Sequence, residues 1–154
     1  MLTFLNQTNI SARLMEHWRK NYNVLHYAMN DETFQSELEY YNNVKYGPHE
    51  DKIKDKVYAV YNEETLIGYV VLNICNCLNK KSLIINHIVV NPDFMNLGYG
   101  RQILNQIIKR ETEDCVQIEC IIDDSNKYAI NLFESVGFIR FDSNDNVGYY
   151  RYEL

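Results

Sequence analysis

Apolar and polar residues follow two different periods along this chain, and these periods separate predicted helices from predicted strands. From Leu14 to Met29, apolar residues recur at steps of three and four, which predicts an amphipathic helix. Asp31 is a favourable N-cap for a second helix that reaches Tyr41. The apolar pattern of residues 1–5, which precede both helices, predicts a short first strand.

After the N-terminal third, the pattern changes to shorter apolar runs that are separated by turn residues and by two more helical segments. The predicted strands cover residues 56–61, 66–75, 83–90, 115–122, 138–141 and 149–153, and the predicted helices cover residues 98–110 and 125–136. The run at 83–90 is apolar almost throughout, as in a central strand covered on both faces. The order β-α-α-β-β-β-α-β-α-β-β predicts an α/β fold, a mixed central sheet flanked by helices, in a single domain over residues 1–154.

Charge and composition narrow the classes of function. The 154 residues carry 15 Lys and Arg against 21 Asp and Glu, a formal net charge of −6. A protein that binds duplex nucleic acid normally presents a basic face, because phosphate neutralisation supplies much of the affinity. Nucleic acid is therefore not expected as a partner. The sequence contains neither a long apolar run nor a signal-peptide pattern, so we expect no membrane partner and a cytoplasmic location.

The four cysteines do not predict a metal site. Cys75, Cys77, Cys115 and Cys120 form no C-x-x-C pair, and no histidine lies at ligand spacing from them. All four fall in or beside predicted strands, where a free cysteine acts as a small buried hydrophobe. The alternative is a redox role for Cys75 and Cys77, which would face the same side of one strand.

The segment from His87 to Arg101 joins the central apolar strand to a helix, and glycines stand at positions 98 and 100. A helix start leaves main-chain N–H groups unpaired and carries partial positive charge, so such a turn can hold a phosphate. A dinucleotide fingerprint would need a third glycine where Ile103 stands, and a P-loop motif is absent. Two glycines that serve only a tight turn remain the structural alternative.

A second segment about 25 residues downstream makes the pattern specific. The first segment resembles V-x-P-x-x-[RQ]-x-x-G-x-G and the second resembles N-x-x-A-x-x-[LF]-[YF]-E-x-x-G-F, the two signature regions of the GNAT N-acetyltransferase superfamily. The matching residues are Val90, Pro92, Gly98 and Gly100, followed by Asn126, Ala129, Leu132, Phe133, Glu134, Gly137 and Phe138. The order of elements along the whole chain also fits that family.

The resemblance implies an acetyl-CoA cofactor and transfer of its acetyl group to an amine of a small molecule or a protein, by direct attack in a ternary complex. The pyrophosphate is expected on the main-chain amides of residues 95–101, and the pantetheine arm along residues 88–90. The implied cofactor-binding set is Ile88, Val89, Val90, Met95, Asn96, Leu97, Gly98, Tyr99, Gly100, Arg101, Asn126 and Phe133. A main-chain N–H near Val89 or Val90 would hold the developing oxyanion. The resemblance leaves a homodimer open.

Two residues depart from the family pattern and bear on catalysis. Met95 replaces a basic or amide residue, which predicts weaker phosphate binding, and Phe133 occupies the position where many relatives carry a proton-donating tyrosine. His87 is the candidate general base and Tyr128 the candidate acid, with a core histidine and a packing tyrosine as the alternatives. These departures also keep a second function open, a non-catalytic acyl-CoA-binding module. A scaffold without a CoA site is the third hypothesis.

The resemblance places the acceptor pocket in two regions, a tyrosine cluster and a loop before the last strand. The cluster comprises Tyr40, Tyr41 and Tyr46, and the loop is predicted at residues 142–147. Aromatic side chains suit a cationic amine, although packing is their commoner role.

Overall fold

The computed structural model describes residues 1–6, 52–77 and 79–154. Within these ranges the elements are β1 (Thr3–Asn6), β2 (Lys52–Asn62), β3 (Thr65–Cys77), β4 (Lys80–Val90), a 3₁₀ turn (Pro92–Phe94), α1 (Tyr99–Arg110), β5 (Gln117–Asp123), α2 (Lys127–Val136), β6 (Ile139–Asn144) and β7 (Val147–Glu153). The predicted α/β class is confirmed. The two helices predicted between residues 14 and 41 and the tyrosine cluster lie outside the described residues.

The described strands form one mixed sheet in the order β1-β2-β3-β4-β5-β7-β6. Neighbouring strands are antiparallel except for β4 and β5, which run parallel. A parallel pair cannot be joined by a tight turn, and α1 supplies the crossover between these two strands. Strand β7 lies between β5 and β6 and pairs with both.

One face of the sheet, called here the core face, packs against both described helices. Its side chains include Leu72 of β3, Ile85 of β4 and Ile118 of β5, all at most 5% exposed. Helix α1 contributes Ile103, Leu104 and Ile107 to the same cluster, and α2 contributes Phe133. Their spacing of one, three and four residues gives α1 a single apolar stripe. The opposite side of the sheet is called the second face.

A β-bulge interrupts the alternation of β4 in the middle of the sheet. Leu72 pairs with Ile85 and Val71 pairs with His87, so Asn86 is an additional residue that no residue of β3 opposes in the strand register. In a bulge, two residues of one strand oppose one residue of its neighbour. The bulge returns Ile88 to the core face, where it packs against the cluster, and His87 shares the second face with Val71.

A buried ion-pair cluster holds the C-terminal end of α1 against β2. The Lys56 ammonium, whose side chain is 6% exposed, lies 3.3 Å from the carboxylate of Glu111 and 3.0 Å from that of Glu113. It also donates to the main-chain carbonyl of Glu111, the C-cap residue of α1, at 3.0 Å. The Tyr58 hydroxyl donates to the Glu111 carboxylate at 2.8 Å. Burial, with the nearby carboxylates, raises the pKa of Tyr58 far above its ordinary value.

The loop predicted at residues 142–147 is largely strand. Asn144 pairs with Val147, so β6 and β7 form a hairpin whose turn contains only Asp145 and Asn146. Asp145 adopts the left-handed region at φ 50°, a conformation that tight hairpin turns require and that Asp tolerates. The prediction of an irregular loop here was wrong, because the turn signal is confined to two residues.

Three cysteines behave as predicted small hydrophobes. Cys75, Cys115 and Cys120 are buried, and burial raises the pKa of both Cys115 and Cys120. In the part of the chain that the structure describes, no group of three or more His, Cys, Asp or Glu side chains could hold a metal ion. No helix there is long and apolar enough to span a membrane.

Candidate active site

Strands β4 and β5 pair over only four residues and then part. Their parallel register runs from Ser82 opposite Gln117 to Ile85 opposite Cys120. Beyond that point β4 continues to Val90 and β5 to Asp123, with no further pairing between them. The separation begins at the bulge, which is consistent with the bend that a bulge imposes on its strand. The wedge beyond Ile85 and Cys120 is called here the opening.

A cavity of about 260 Å³ occupies the opening and continues to the start of α1. Its walls are Ile85, Asn86, His87, Ile88, Val89, Val90, Phe94, Met95, Asn96, Tyr99, Gly100, Cys120, Ile121, Asp123, Asn126, Tyr128, Ala129, Leu132 and Phe133. Cys120 of the core face and Phe133 of α2, which packs on that face, contribute to the wall, and the second face contributes His87. One continuous cavity is thus walled by groups from both faces of the sheet.

The N-terminus of α1 has main-chain amides available for an anion. Its N-cap, Gly98, carries no side-chain cap, and the first hydrogen bond within the helix joins the Gln102 N–H to the Gly98 carbonyl. The amides of the preceding residues in this first turn therefore have no partner inside the helix. Asn96 and Gly98 both adopt left-handed φ values, 62° and 86°, and such turns direct successive N–H groups into one concavity.

The second helix meets the same cavity with its N-terminus already capped. The Asn126 side chain accepts a hydrogen bond from the Ala129 N–H at 3.0 Å. The expected role of Asn126 as part of the cofactor channel is compatible with its place in the cavity wall, but its side-chain oxygen also stabilises α2. Of the two described α-helices, α1 is therefore the better anion site.

Gly100 brings the two helices close together. A Cβ atom at this position would lie 3.2 Å from Cδ2 of Leu132 and 3.8 Å from the hydroxyl of Tyr128. Gly100 is buried, so even a Cβ there would require the Leu132 side chain to shift. The same distances place the Tyr128 hydroxyl beside the uncapped first turn of α1. The Tyr128 side chain is 53% exposed.

Asn91 attaches the turn before α1 to the sheet, a role that the sequence analysis missed. Its N–H donates to the Ile67 carbonyl at 2.6 Å, and its side-chain amide donates to the Leu66 carbonyl at 3.3 Å. Its two oxygens accept from the N–H groups of Phe94 and Asp93 at 2.8 and 3.1 Å. Short polar side chains favour such local bonds, and these four fix the direction in which the chain leaves β4.

Most of the predicted site residues come together around the cavity. His87, Ile88, Val89, Val90, Met95, Asn96, Tyr99, Gly100, Asn126, Tyr128 and Phe133 line it, whereas Leu97, Gly98 and Arg101 do not. The Leu97 side chain is 63% exposed. The Arg101 guanidinium donates to the Ser135 hydroxyl on α2 at 2.8 Å, so its charge is directed along α2 rather than into the cavity.

Other cavity residues were absent from the prediction. They are Ile85, Asn86, Phe94, Cys120, Ile121, Asp123, Ala129 and Leu132. The separation of β4 from β5 brings Cys120 and Ile121 to the cavity, and no local pattern announces where two strands stop pairing. Phe133 is 7% exposed and packs on Phe138 with ring centroids 5.0 Å apart, so its ring presents no proton donor to the opening.

The opening in the mixed sheet and the uncapped start of α1 share one cavity, and such an arrangement can hold an extended, phosphate-bearing ligand. A model of the acetyltransferase (GNAT) family matches residues 12–138. The chain belongs to this family. The activity and cofactor predicted from the sequence, transfer of an acetyl group from acetyl-CoA, are those of the family and are confirmed at that level.

Solved structures with the same fold cover nearly the whole chain. N-acetyltransferase PseH from Campylobacter jejuni, in complex with acetyl coenzyme A, is 19% identical with a TM-score of 0.67, covering 100% of this chain and 99% of that one. An acetyltransferase from Thermus thermophilus is 16% identical with a TM-score of 0.77, covering 100% and 97%. Spermidine N-acetyltransferase from Vibrio cholerae, in complex with CoA and spermine, is 20% identical with a TM-score of 0.69, covering 97% and 92%. No curated protein matches by sequence.

Proposed function

We propose that this chain, acting as a single domain over residues 1–154, moves the acetyl group of acetyl-CoA to an amine of a small molecule or a protein. The reaction takes place in the opening, by direct attack in a ternary complex. The observation that carries the proposal is one cavity that joins the parted ends of β4 and β5 to the uncapped start of α1.

The main-chain amides at the start of α1 bind the pyrophosphate, supported by the partial positive charge of the helix. The hydroxyl of Tyr128 stands next to this turn, near Gly100, and donates a hydrogen bond to a phosphate oxygen. Arg101 adds charge at longer range only, because its guanidinium is bonded to Ser135. Met95 at the cavity wall contributes apolar contact in place of the usual polar side chain.

The pantetheine arm lies along the free edge of β4. Residues from His87 to Val90 pair with β3 on one side, while their other edge faces the opening, where β5 no longer pairs. Amide groups of an extended ligand can bond to such an edge as an added strand does. The segment from Val90 back to the bulge spans roughly 13 Å at about 3.3 Å per residue, so the thioester lies well away from the phosphate turn.

The chemistry in the opening follows from the groups that line it. A neutral amine attacks the thioester carbonyl carbon, and a main-chain N–H near Val89 or Val90 stabilises the oxyanion. His87, on the second face and in the cavity wall, accepts the proton of the amine. Phe133 cannot protonate the leaving group, so coenzyme A departs as the thiolate. Tyr128 is better placed for the phosphates than for this proton, because its hydroxyl is beside Gly100.

The test is release of free CoA thiol from acetyl-CoA with a panel of polyamines, amino acids, aminoglycosides and peptides. We expect turnover with at least one amine and saturable binding of CoA by calorimetry. Binding without turnover across the panel would favour the alternative, a non-catalytic acyl-CoA-binding module, which is motivated by Met95 and Phe133. Absence of both binding and turnover would refute the assignment altogether.

A matched pair of variants locates the cofactor. Gly100→Glu places a carboxylate and a bulky side chain at the start of α1 and is expected to abolish CoA binding. Asn105→Glu adds the same charge to an exposed position of the same helix and is expected to leave affinity within about twofold, because exposed charges are screened by solvent. Equal affinities for the two variants would exclude the α1 turn as the phosphate site.

A further inference from the structure

The bulge in β4 places two polar side chains next to each other on the second face of the sheet. Strict alternation would send Asn86 and His87 to opposite faces. The bulge instead lets both lie on one face. His87 is opposite Val71, and the Asn86 side chain reaches Asn73. Asn73 is two residues from Val71 on β3, so these two side chains share the second face. Both residues line the cavity, directly after Ile85, the last residue of β4 that pairs with β5.

The Asn86 carboxamide is oriented by a side chain of the neighbouring strand. Its Nδ2 donates a hydrogen bond to Oδ1 of Asn73, which is 8% exposed. With the donor end held on β3, the accepting Oδ1 of Asn86 is left for other donors, and no donor to it is assigned among the described residues. A half-buried amide oxygen beside a cavity favours a ligand that can donate to it.

We propose that Oδ1 of Asn86 accepts a hydrogen bond from an N–H of the acceptor amine and so directs the nitrogen lone pair toward the thioester carbonyl carbon. A carboxamide does not take up a proton in the physiological range, so Asn86 orients the amine while His87 accepts its proton. Asn73 is a positioning residue that acts through Asn86.

This inference rests on the proposed function. In the step concerned, the C–N bond forms and the C–S bond breaks. One proton leaves the nitrogen for His87, and the sulfur departs with its electron pair as CoA thiolate. The contribution of Asn86 is geometric, because attack requires the lone pair of the amine to be aligned with the carbonyl carbon.

The first experiment compares Asn86→Ala with wild type, using the amine that wild type acetylates fastest in the panel of polyamines, amino acids, aminoglycosides and peptides. Loss of one neutral hydrogen bond predicts a decrease of about tenfold in kcat/KM for the amine, with the Kd of acetyl-CoA within twofold. Asn105→Ala, on the exposed side of α1, is the control and should match wild type. Unchanged kcat/KM, or an equal loss of acetyl-CoA affinity, would overturn the role of Asn86.

The second experiment separates orientation from a structural effect. If Asn73 acts only through Asn86, the double variant Asn73→Ala/Asn86→Ala has the same kcat/KM as Asn86→Ala, whereas independent effects multiply. Asn86→Asp retains an accepting oxygen and adds a negative charge, which stabilises the protonated amine. The pH–rate profile for kcat/KM should then shift to higher pH. Multiplying effects together with an unshifted profile would refute the proposal, whereas an inactive wild type would instead refute the proposed function.

Discussion

The placement of Tyr128 predicts that Tyr128→Phe weakens binding of the cofactor without slowing the chemical step. The hydroxyl lies 3.8 Å from the position of a Cβ on Gly100, beside amides that have no partner within α1. A hydrogen bond to a charged phosphate contributes about 1.5–3 kcal/mol. The side chain is 53% exposed, so water can replace the lost donor, and we expect about 1 kcal/mol, which corresponds to roughly a fivefold increase in Kd.

The assay compares two donors that differ only in the phosphate-bearing part. Acetyl-CoA contains the pyrophosphate, whereas S-acetylpantetheine contains the same thioester and arm without any phosphate. We expect Tyr128→Phe to raise the Kd of CoA by calorimetry and the KM of acetyl-CoA about fivefold, and to leave kcat/KM for S-acetylpantetheine at the wild-type value. Tyr149→Phe, at a half-buried position of β7 outside the cavity wall, is the matched control.

One result would refute the phosphate role. If Tyr128 were the proton donor to the leaving thiolate, its removal would lower kcat with both donors by the same factor, and the affinity for CoA would not change. General acid catalysis is worth roughly 100-fold or more where it operates. A loss of kcat of that size with S-acetylpantetheine would therefore show that Tyr128 acts as the proton donor.

Three further changes test the site and its support. Lys56→Met removes an ammonium that lies between two carboxylates and donates to the main-chain carbonyl of Glu111. We expect a free energy of unfolding in urea that is about 3 kcal/mol lower. The affinity for CoA should not change, because this cluster lies at the C-terminal end of α1, away from the proposed phosphate site. A CoA affinity that fell in parallel would contradict that separation. Gly68→Ala would put a Cβ in steric conflict with the main-chain carbonyl of Val89, and we expect about 2 kcal/mol of destabilisation. CoA binding should also weaken, because Val89 lies in the edge proposed to hold the pantetheine arm; a wild-type Tm would be inconsistent with this close approach. His87→Ala should lower kcat most strongly below the pH at which the amine deprotonates by itself, and a uniform loss at every pH would remove it as the base.

Tyr58, in the buried ion-pair cluster at the C-terminal end of α1, also predicts how stability depends on pH. The pKa of Tyr58 is raised in the folded state by burial, by its hydrogen bond to Glu111 and by nearby carboxylates. A raised folded pKa gives stability that is fully present below the unfolded value of about 10 and is lost as pH rises above it. Tyr58→Phe should therefore show a smaller loss of Tm between pH 9 and 11 than wild type. Equal losses would exclude Tyr58 from the alkaline transition.

Local physics explains why the sequence was informative on the cofactor side. The two helices beside the cavity were predicted over residues 98–110 and 125–136 and are observed at Tyr99–Arg110 and Lys127–Val136. Their apolar period, and the glycine and asparagine at their starts, act within a few residues of one another. The turn proposed to bind phosphate and the strand before it are contiguous in sequence, so the residues expected to hold the cofactor could be named without knowledge of the sheet.

The acceptor side depended on contacts between distant segments. The bulge at Asn86 exists only relative to the register of β3, and the opening exists only because β5 stops pairing after Cys120. The proximity of Tyr128 to Gly100 likewise joins two helices that are separated by a strand. By itself, therefore, the sequence determined the order of the described elements and the resemblance to the family, and it predicted the turn before α1 as the phosphate site. Tertiary structure decided which side chains meet around the cavity, since strand register and helix packing are set by long-range pairing that no local period encodes.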